Sequence, residues 1–235
     1  MANVHGKNTV VHVNNANYST YFNSIDMART ADVAESTTFG NSAKTYLTGN
    51  KDGTITLTGF FDATADSVVN GLLGSDMVLT IGVDGLDALD RVAFGNGNIT
   101  NYGVSAPVGD IVGVSLDFQA DSGIYNGLVL ENSTKTATGN GTARDNTTST
   151  TNGGAGVLLV TAKSGTSPTL DCKITHSADN STYADLVTFT QATGLTQEVK
   201  TVAKGTTVNR YLKVVYTIGG STPSFTAIVG FGRNS

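Results

Sequence analysis

Thr54-Ile55-Thr56-Leu57-Thr58-Gly59-Phe60-Phe61 sets apolar residues against threonines with a period of two, and that period decides the fold class. Successive side chains of a strand point to opposite faces, so Ile55, Leu57 and Phe61 share a core-seeking face and Thr54, Thr56 and Thr58 the other. One buried and one polar face is the pattern of antiparallel sheet. The alternation recurs downstream. Met77, Leu79, Ile81 and Val83 form one apolar set, and Val112, Val114, Leu116 and Phe118 another, opposite Gly113, Ser115, Asp117 and Gln119. Weaker strand signals lie at 8–13, 24–30, 33–39, 91–105 and 124–130. One helix is expected over 63–73, capped by Asp62 or Thr64, with Val68, Val69, Leu72 and Leu73 as its apolar stripe and Gly74 as its stop. Asn96-Gly97 reads as a hairpin turn.

Residues 131–154 are rich in Thr, Asn, Ser and Gly, and read as a linker running into an irregular first strand. Alternation then resumes with Leu158, Val160 and Ala162, with Leu170, Cys172 and Ile174, with Leu212, Val214, Tyr216 and Ile218, and with Phe225, Ala227, Val229 and Phe231. Short strands at that spacing suggest a small sandwich or jelly roll. The expected organisation is therefore an all-β domain over 1–133 and a second β domain over 134–235, with 134–154 as linker and irregular strand.

The 235 residues allow about 70% of the unfolded surface to be buried without staples. A single cysteine, Cys172, excludes an internal disulfide framework, and its alternation with Leu170 and Ile174 marks an inert buried thiol. The residues before Gly6 lack the basic and apolar regions of a leader, and no run is long and apolar enough to span a membrane. The net charge of −5 is unevenly divided. Residues 1–133 hold five Lys/Arg and fourteen Asp/Glu (5 − 14 = −9), and residues 134–235 hold nine and five (9 − 5 = +4). An acidic first half argues against gripping nucleic-acid phosphates there.

Two passages resemble the tail tube (major tail) proteins of long-tailed bacteriophages. One runs Ser24-Ile25-Asp26-Met27-Ala28-Arg29-Thr30-Ala31-Asp32-Val33-Ala34-Glu35-Ser36-Thr37-Thr38-Phe39-Gly40 and on through Tyr46 and Gly49 to Asp52–Asp62. The other is Tyr102-Gly103-Val104-Ser105-Ala106-Pro107-Val108-Gly109-Asp110, leading into the strand at 111–119. The second half resembles an accessory β domain that often follows such tube domains, in His176–Ser181, Asn209–Leu212 and Gly219–Phe225. The resemblance implies a tail-tube-type β-sandwich or barrel with one flanking helix, then a small β-sandwich or jelly roll. It implies hexameric rings stacked into a tube, partners that are further copies of the chain and other phage tail proteins, and viral DNA passing through the lumen without specific binding. The location implied is the virion tail, after synthesis in the host cytoplasm.

Candidate residues follow from that frame. The segment 39–51 is long enough to reach a neighbour, and within it 39–47 is too long for a tight turn and carries Phe39, Tyr46 and Leu47 without an evident intrachain face, so Phe39, Lys44, Tyr46 and Leu47 are the expected subunit contacts. The polar faces bearing Asp117 and Gln119, or Thr54, Thr56 and Thr58, are expected lumen faces, where carboxylates and hydroxyls repel rather than hold phosphates. Residues 1–130 are expected to polymerise alone. No catalytic role is expected. His5, His12 and His176 stand far apart, no Gly-x-Ser-x-Gly elbow is present, and Asp84, Asp87 and Asp90 lack the alternate ligand positions of a calcium loop. No metal or cofactor is expected. The alternatives are a capsid decoration or other virion surface protein, and a glycan-binding adhesin module using Tyr183 and Tyr211.

Overall fold

A computed structural model of the chain describes residues 5–234. Met1–Val4 and Ser235, the outermost residues of the two expected domains, lie outside the described residues. In chain order the strands are β1 (Val10–Val13), β2 (Ala16–Asn17), β3 (Phe22–Glu35), β4 (Tyr46–Phe60), β5 (Asp76–Gly82), β6 (Arg91–Ser105) and β7 (Gly113–Ala120). They continue as β8 (Tyr125–Lys135), β9 (Gly139–Asn140), β10 (Arg144–Asp145), β11 (Gly154–Ser177), β12 (Ala184–Thr188), β13 (Thr196–Val202) and β14 (Tyr211–Arg233). The helix α1 (Ala63–Val69) follows β4 and runs into a 3-10 turn, Asn70–Leu72, with Gly74 just beyond at φ 75°. Asp62 caps α1 as expected, its carboxylate accepting from the N–H groups of Thr64 and Ala65. The fold class is all-β.

The chain divides into two units that each draw on separate segments. One, the ribbon unit, takes residues up to Ser19, Val78–Phe94 and everything from Tyr125. The other, the arm unit, takes Thr20–Met77 and Gly95–Ile124. This differs from the expected division at 133/134. That position lies inside β8, whose ladder with β14 pairs Ser133 with Ala227 and Thr134 with Thr226. The expected linker is also tied down. The Gly141 N–H donates to the Val214 carbonyl at 2.8 Å, and Thr150 and Val208 exchange backbone bonds at 3.0 and 2.8 Å. Arg210 grips the Asp145 carboxylate with two nitrogens. A cut after Glu131 would leave the first part of β8 without its ladder partner, so residues 1–130 are not a structural unit.

In the ribbon unit β11 and β14 pair antiparallel from Gly154↔Arg233 to Ser177↔Tyr211. β12 and β13 line the free edge of β11, and β8, β9 and β10 that of β14. The ribbon does not run straight. Its register breaks between Val160 and Thr169, where both strands carry the same four-residue device. Gly165-Thr166-Ser167-Pro168 and Gly220-Ser221-Thr222-Pro223 each set the glycine (φ 109° and 106°) and the third residue (φ 47° in both) in left-handed backbone. The two devices interlock. A Cβ on Gly165 would lie 2.7 Å from the Thr222 carbonyl oxygen, and one on Gly220 would lie 2.7 Å from that of Ser167. Only glycine fits both the sign of φ and that approach.

The corner lets one ribbon supply both sides of a core. Leu158, Val160, Phe225 and Val229 from one arm of it pack with Leu170, Cys172, Ile174, Leu212 and Val214 from the other. Ala155, Val157, Leu159 and Ile228 face a second core with Val92, Phe94 and Val129. Gly154–Val160 is therefore buried on both faces and reads as a continuous apolar run rather than an alternation. Ala162, expected in the core, sits at the corner and is exposed. The Cys172 thiol is buried as expected, and burial, with the nearby Glu131 charge, pushes it up to about 12.

The arm unit is a four-stranded antiparallel sheet in the order β3-β4-β7-β6, with α1 after β4. Its inner rungs are Ile25–Leu57–Leu116–Tyr102 and Met27–Ile55–Phe118–Ile99. Phe61, expected beside Ile55 and Leu57, falls past the end of β4 and is exposed, as is Val83 past the end of β5. Asn96-Gly97 is not a turn but mid-strand in β6. Gly97 is needed because a Cβ there would lie 2.0 Å from the Gln119 carbonyl oxygen on β7. The expected strands at 24–30 and 33–39 are one strand through Glu35, with 36–39 in the loop that follows.

Candidate assembly surface

β3 and β4, at 14 and 15 residues, are longer than the sheet they belong to. The β4–β7 ladder ends at Thr54↔Gln119, so beyond Ala28 and Thr54 the two strands continue as a lone ribbon. Its seven further residues on β3 reach about 23 Å at 3.3 Å per residue. From Ala28 to Asp52 every residue is exposed except the half-buried Ser36. The tip is closed by polar bonds. The Ser36 N–H donates to the Thr45 carbonyl at 2.8 Å, the Thr45 N–H to Thr37 Oγ1 at 3.0 Å, and Lys44 Nζ meets Glu35 Oε2 at 3.0 Å.

The arm carries apolar side chains with nothing of their own chain over them. Phe39 is fully exposed, and Val33, Tyr46 and Leu47 are 64%, 55% and 65% exposed. The register puts Val33 and Tyr46 on one face and Leu47 on the other. A lone two-stranded ribbon is marginal in water. Three of the four expected contact residues are thus open apolar side chains. The fourth, Lys44, is already paired with Glu35 across the same arm.

The outer face of the arm unit's sheet is polar on three successive rungs. These are Ser24–Thr58–Ser115–Gly103, Asp26–Thr56–Asp117–Asn101 and Ala28–Thr54–Gln119–Asn98. No Lys or Arg stands on them. Asp117 is more tightly held than its alternation suggests. Thr56 Oγ1 donates to it at 2.7 Å and Asn101 Nδ2 at 2.9 Å, and these bonds hold its carboxyl below the usual range. Gln119 Nε2 donates to Asp52 Oδ1 at 2.5 Å. Both expected residues are therefore members of one hydrogen-bonded face, on which Asp26 is the open carboxylate.

At the end of the sheet away from the arm tip, a groove of about 400 Å³ crosses all four strands. Gly59, Gly103 and Gly113 line it together with the hydroxyls of Thr58, Ser105 and Ser115. Nothing in the spacing of these glycines marks them as a groove. They converge only because β4, β7 and β6 are adjacent. On the inner face of the sheet, Asp66 in the first turn of α1 accepts from the Tyr102 hydroxyl at 2.7 Å, and burial and this bond push that phenol up to about 12.

The three histidines stay apart. His5 accepts from the Lys7 N–H in a short turn, and Nδ1 of His176 accepts from the Asn209 N–H at 3.1 Å. His12 is 5% exposed. Burial lowers His12 below the ordinary 6.5, against the Asn15 carbonyl, and burial with the Arg233 charge lowers His176. A depressed folded value means that the neutral ring is the stabilised form. That stability is present above 6.5 and is lost as the pH falls through the folded values. Thermal unfolding followed from pH 7 to pH 5 is therefore expected to fall to lower temperature, with a shallower fall in the His12→Gln, His176→Gln double variant.

Among the described residues no three His, Cys, Asp or Glu side chains gather as a metal site, and no helix is long and apolar enough to cross a membrane. Tyr183 and Tyr211 come near each other in the ribbon unit, but each ring already carries a cation. Lys213 Nζ stands 3.6 Å from the Tyr183 centroid and the Arg210 guanidinium 5.0 Å from that of Tyr211.

No protein-family model matches the chain, and no curated protein matches it. Solved structures resemble it in part. A chain of the virion of a native gene transfer agent particle aligns with 52% of this chain and 97% of its own, at 12% identity and a TM-score of 0.44. The Dit protein (gp 19.1) of SPP1, described as a paradigm of the hub adsorption apparatus in phages that infect Gram-positive bacteria, aligns with 97% of this chain and 99% of its own, at 12% identity and a TM-score of 0.41. A chain of the PVC sheath–tube complex, an extracellular contractile injection system in its extended state, aligns with 54% of this chain and 93% of its own, at 18% identity and a TM-score of 0.44.

Proposed function

We propose that the chain is a non-enzymatic structural subunit of a phage tail, built to join copies of itself into rings and stack them into a tube. The observation that carries the reading is the arm. It is a long ribbon with Phe39, Tyr46 and Leu47 in water, projecting from a sheet whose outer face is polar and without a basic side chain. The two passages that resemble tail tube proteins fall on these elements. The first covers β3, the arm loop and β4, and the second covers the end of β6 and its loop to β7. In this reading the face bearing Asp26, Asp117 and Gln119 lines the path of the genome. Its carboxylates leave no cation to hold passing phosphates by counterion release. The ribbon unit meets other tail proteins.

A glycan-binding module is the reading least supported by the side chains, because the rings of Tyr183 and Tyr211 are occupied by Lys213 and Arg210 rather than open for stacking. Negative-stain microscopy of the purified full chain at increasing concentration tests the proposal. Rings or tubes of uniform diameter are the expected result. A chain that stays monomeric at every concentration, by microscopy and by light scattering, would overturn it.

A further inference from the structure

We propose that the His176 ring and the Arg233 guanidinium form an acid-sensitive catch in the ribbon unit, holding Asn209 between them, and that protonation of the ring releases the segment 203–210 joining β13 to β14. Asn209 is gripped from both sides. Its N–H donates to Nδ1 of His176 at 3.1 Å, and its carbonyl accepts from Arg233 Nη2 at 2.6 Å. A backbone N–H can only donate, so Nδ1 presents its lone pair and the proton of the neutral ring sits on Nε2. Arg233 Nη1 also donates to the Val208 carbonyl at 2.6 Å and to Thr150 Oγ1 at 3.0 Å. The next residue follows suit. The Asn234 N–H donates to the Gly153 carbonyl at 3.2 Å and its Nδ2 to the Asn152 carbonyl at 3.0 Å. The catch thus ties the end of β14 both to 150–153 and to 203–210.

A proton on the ring undoes this in two ways. Nδ1 then carries a hydrogen and meets the Asn209 N–H donor against donor. The same proton sets an imidazolium beside a guanidinium that has no carboxylate of its own. Arg233 is held by two carbonyls and a hydroxyl, and its Nε is buried with no hydrogen-bond partner among the described residues. The carboxylates on the surrounding elements are committed elsewhere. Asp145 of β10 is gripped by Arg210 through two nitrogens, and Asp185 of β12 pairs with Lys173 of β11. Asp179, in the turn after β11, accepts from the Ser177 hydroxyl and from the N–H groups of Ser181 and Thr182. Lys213 of β14, over the Tyr183 ring, is one more cation. Two like charges in a partly buried place without a counter-charge favour separation.

The segment is free to yield. Residues 203–207 are all exposed, and Val208 is the one residue of 203–210 buried in a core. Few buried contacts make a segment open locally, ahead of the rest of the fold. Burial and the Arg233 charge hold the ring below 6.5, so the catch is closed above 6.5 and opens as the pH falls through the ring's folded value.

Hydrogen exchange of the full chain, read by mass spectrometry on peptides spanning 203–210, tests this. Divided by the intrinsic rate at each pH, exchange there is expected to rise about fivefold from pH 7 to pH 5, while peptides from Gly154–Val160 stay unchanged. In His176→Gln the side-chain oxygen accepts from the Asn209 N–H at either pH, so the rise is expected to vanish. In His12→Gln it is expected to remain. A parent chain with no rise, a rise shared with Gly154–Val160, a rise that persists in His176→Gln, or its loss in His12→Gln would overturn the catch. If the glutamine variant at 176 does not fold, the profiles of the parent and of His12→Gln decide the case.

Discussion

Replacing Phe39 and Tyr46 together by alanine is expected to weaken assembly at least tenfold while leaving the unfolding of the unassembled chain almost unchanged. The two effects separate because the side chains are outside every core. Phe39 is fully exposed and Tyr46 is 55% exposed. Exposed substitutions away from special backbone shift stability by about 0.5 kcal/mol or less. Aromatic anchors that become buried between copies behave differently, since truncating one costs about 2 kcal/mol or more of binding, beyond tenfold in affinity. Sedimentation gives the first quantity, and urea unfolding at a concentration where the chain is dispersed gives the second. A loss above 1 kcal/mol in the dispersed chain, on the order of what a buried contact costs, would mean that these residues belong to the fold of their own subunit.

The largest stability effect is expected at the ribbon corner. Gly220→Ala asks an alanine to adopt φ 106° with its Cβ 2.7 Å from the Ser167 carbonyl oxygen and 2.9 Å from the Pro168 Cα. Both contacts are backbone, so neither can rotate away. Left-handed strain alone costs about 1–3 kcal/mol, and displacing the partner strand adds to it, so a loss of about 3 kcal/mol in urea unfolding is expected. Gly194→Ala is the matched control. It has nothing within 4 Å of the added methyl and an ordinary φ, and is expected to stay within about 0.5 kcal/mol of the parent. Equal stability of the two variants would show that the corner yields without cost.

The strands that alternate were legible because one of their faces meets a core and the other meets solvent. Ile55 and Leu57 against Thr56 and Thr58 are the plainest case, and the Asp62 cap of α1 was equally open to reading. Gly154–Val160 was not, because both of its faces are buried and period two disappears. The polarity of residues 134–154 suggested a linker, yet their bonds run to β14, about sixty to eighty residues further on, and composition carries no trace of such partners. Asn96-Gly97 misled for a related reason. The glycine answers to a neighbouring strand, not to its own turn. The arm was half legible: the lack of an intrachain face for Phe39, Tyr46 and Leu47 could be seen, whereas the strand that carries Tyr46–Lys51 rests on backbone pairing with β3 alone. The groove could not be seen at all, since three glycines on three strands become neighbours only in the folded sheet.

The β11–β14 ribbon gives the ribbon unit a direction of mechanical strength. Its backbone bonds lie across the strands. Tension drawing Arg233 and Ser177 apart acts on opposite ends of the pair, so it slides one strand along the other and loads many rungs at once. Tension drawing Arg233 from Gly154 acts at a single end and opens the rungs in turn. The interlocked corner divides the sliding ladder in two, and each half must fail as a block. The subunit is therefore stiff to a pull along the ribbon and yielding to a peel at its end, an anisotropy that a force probe attached at residues 177, 154 and 233 would read as two distinct rupture forces.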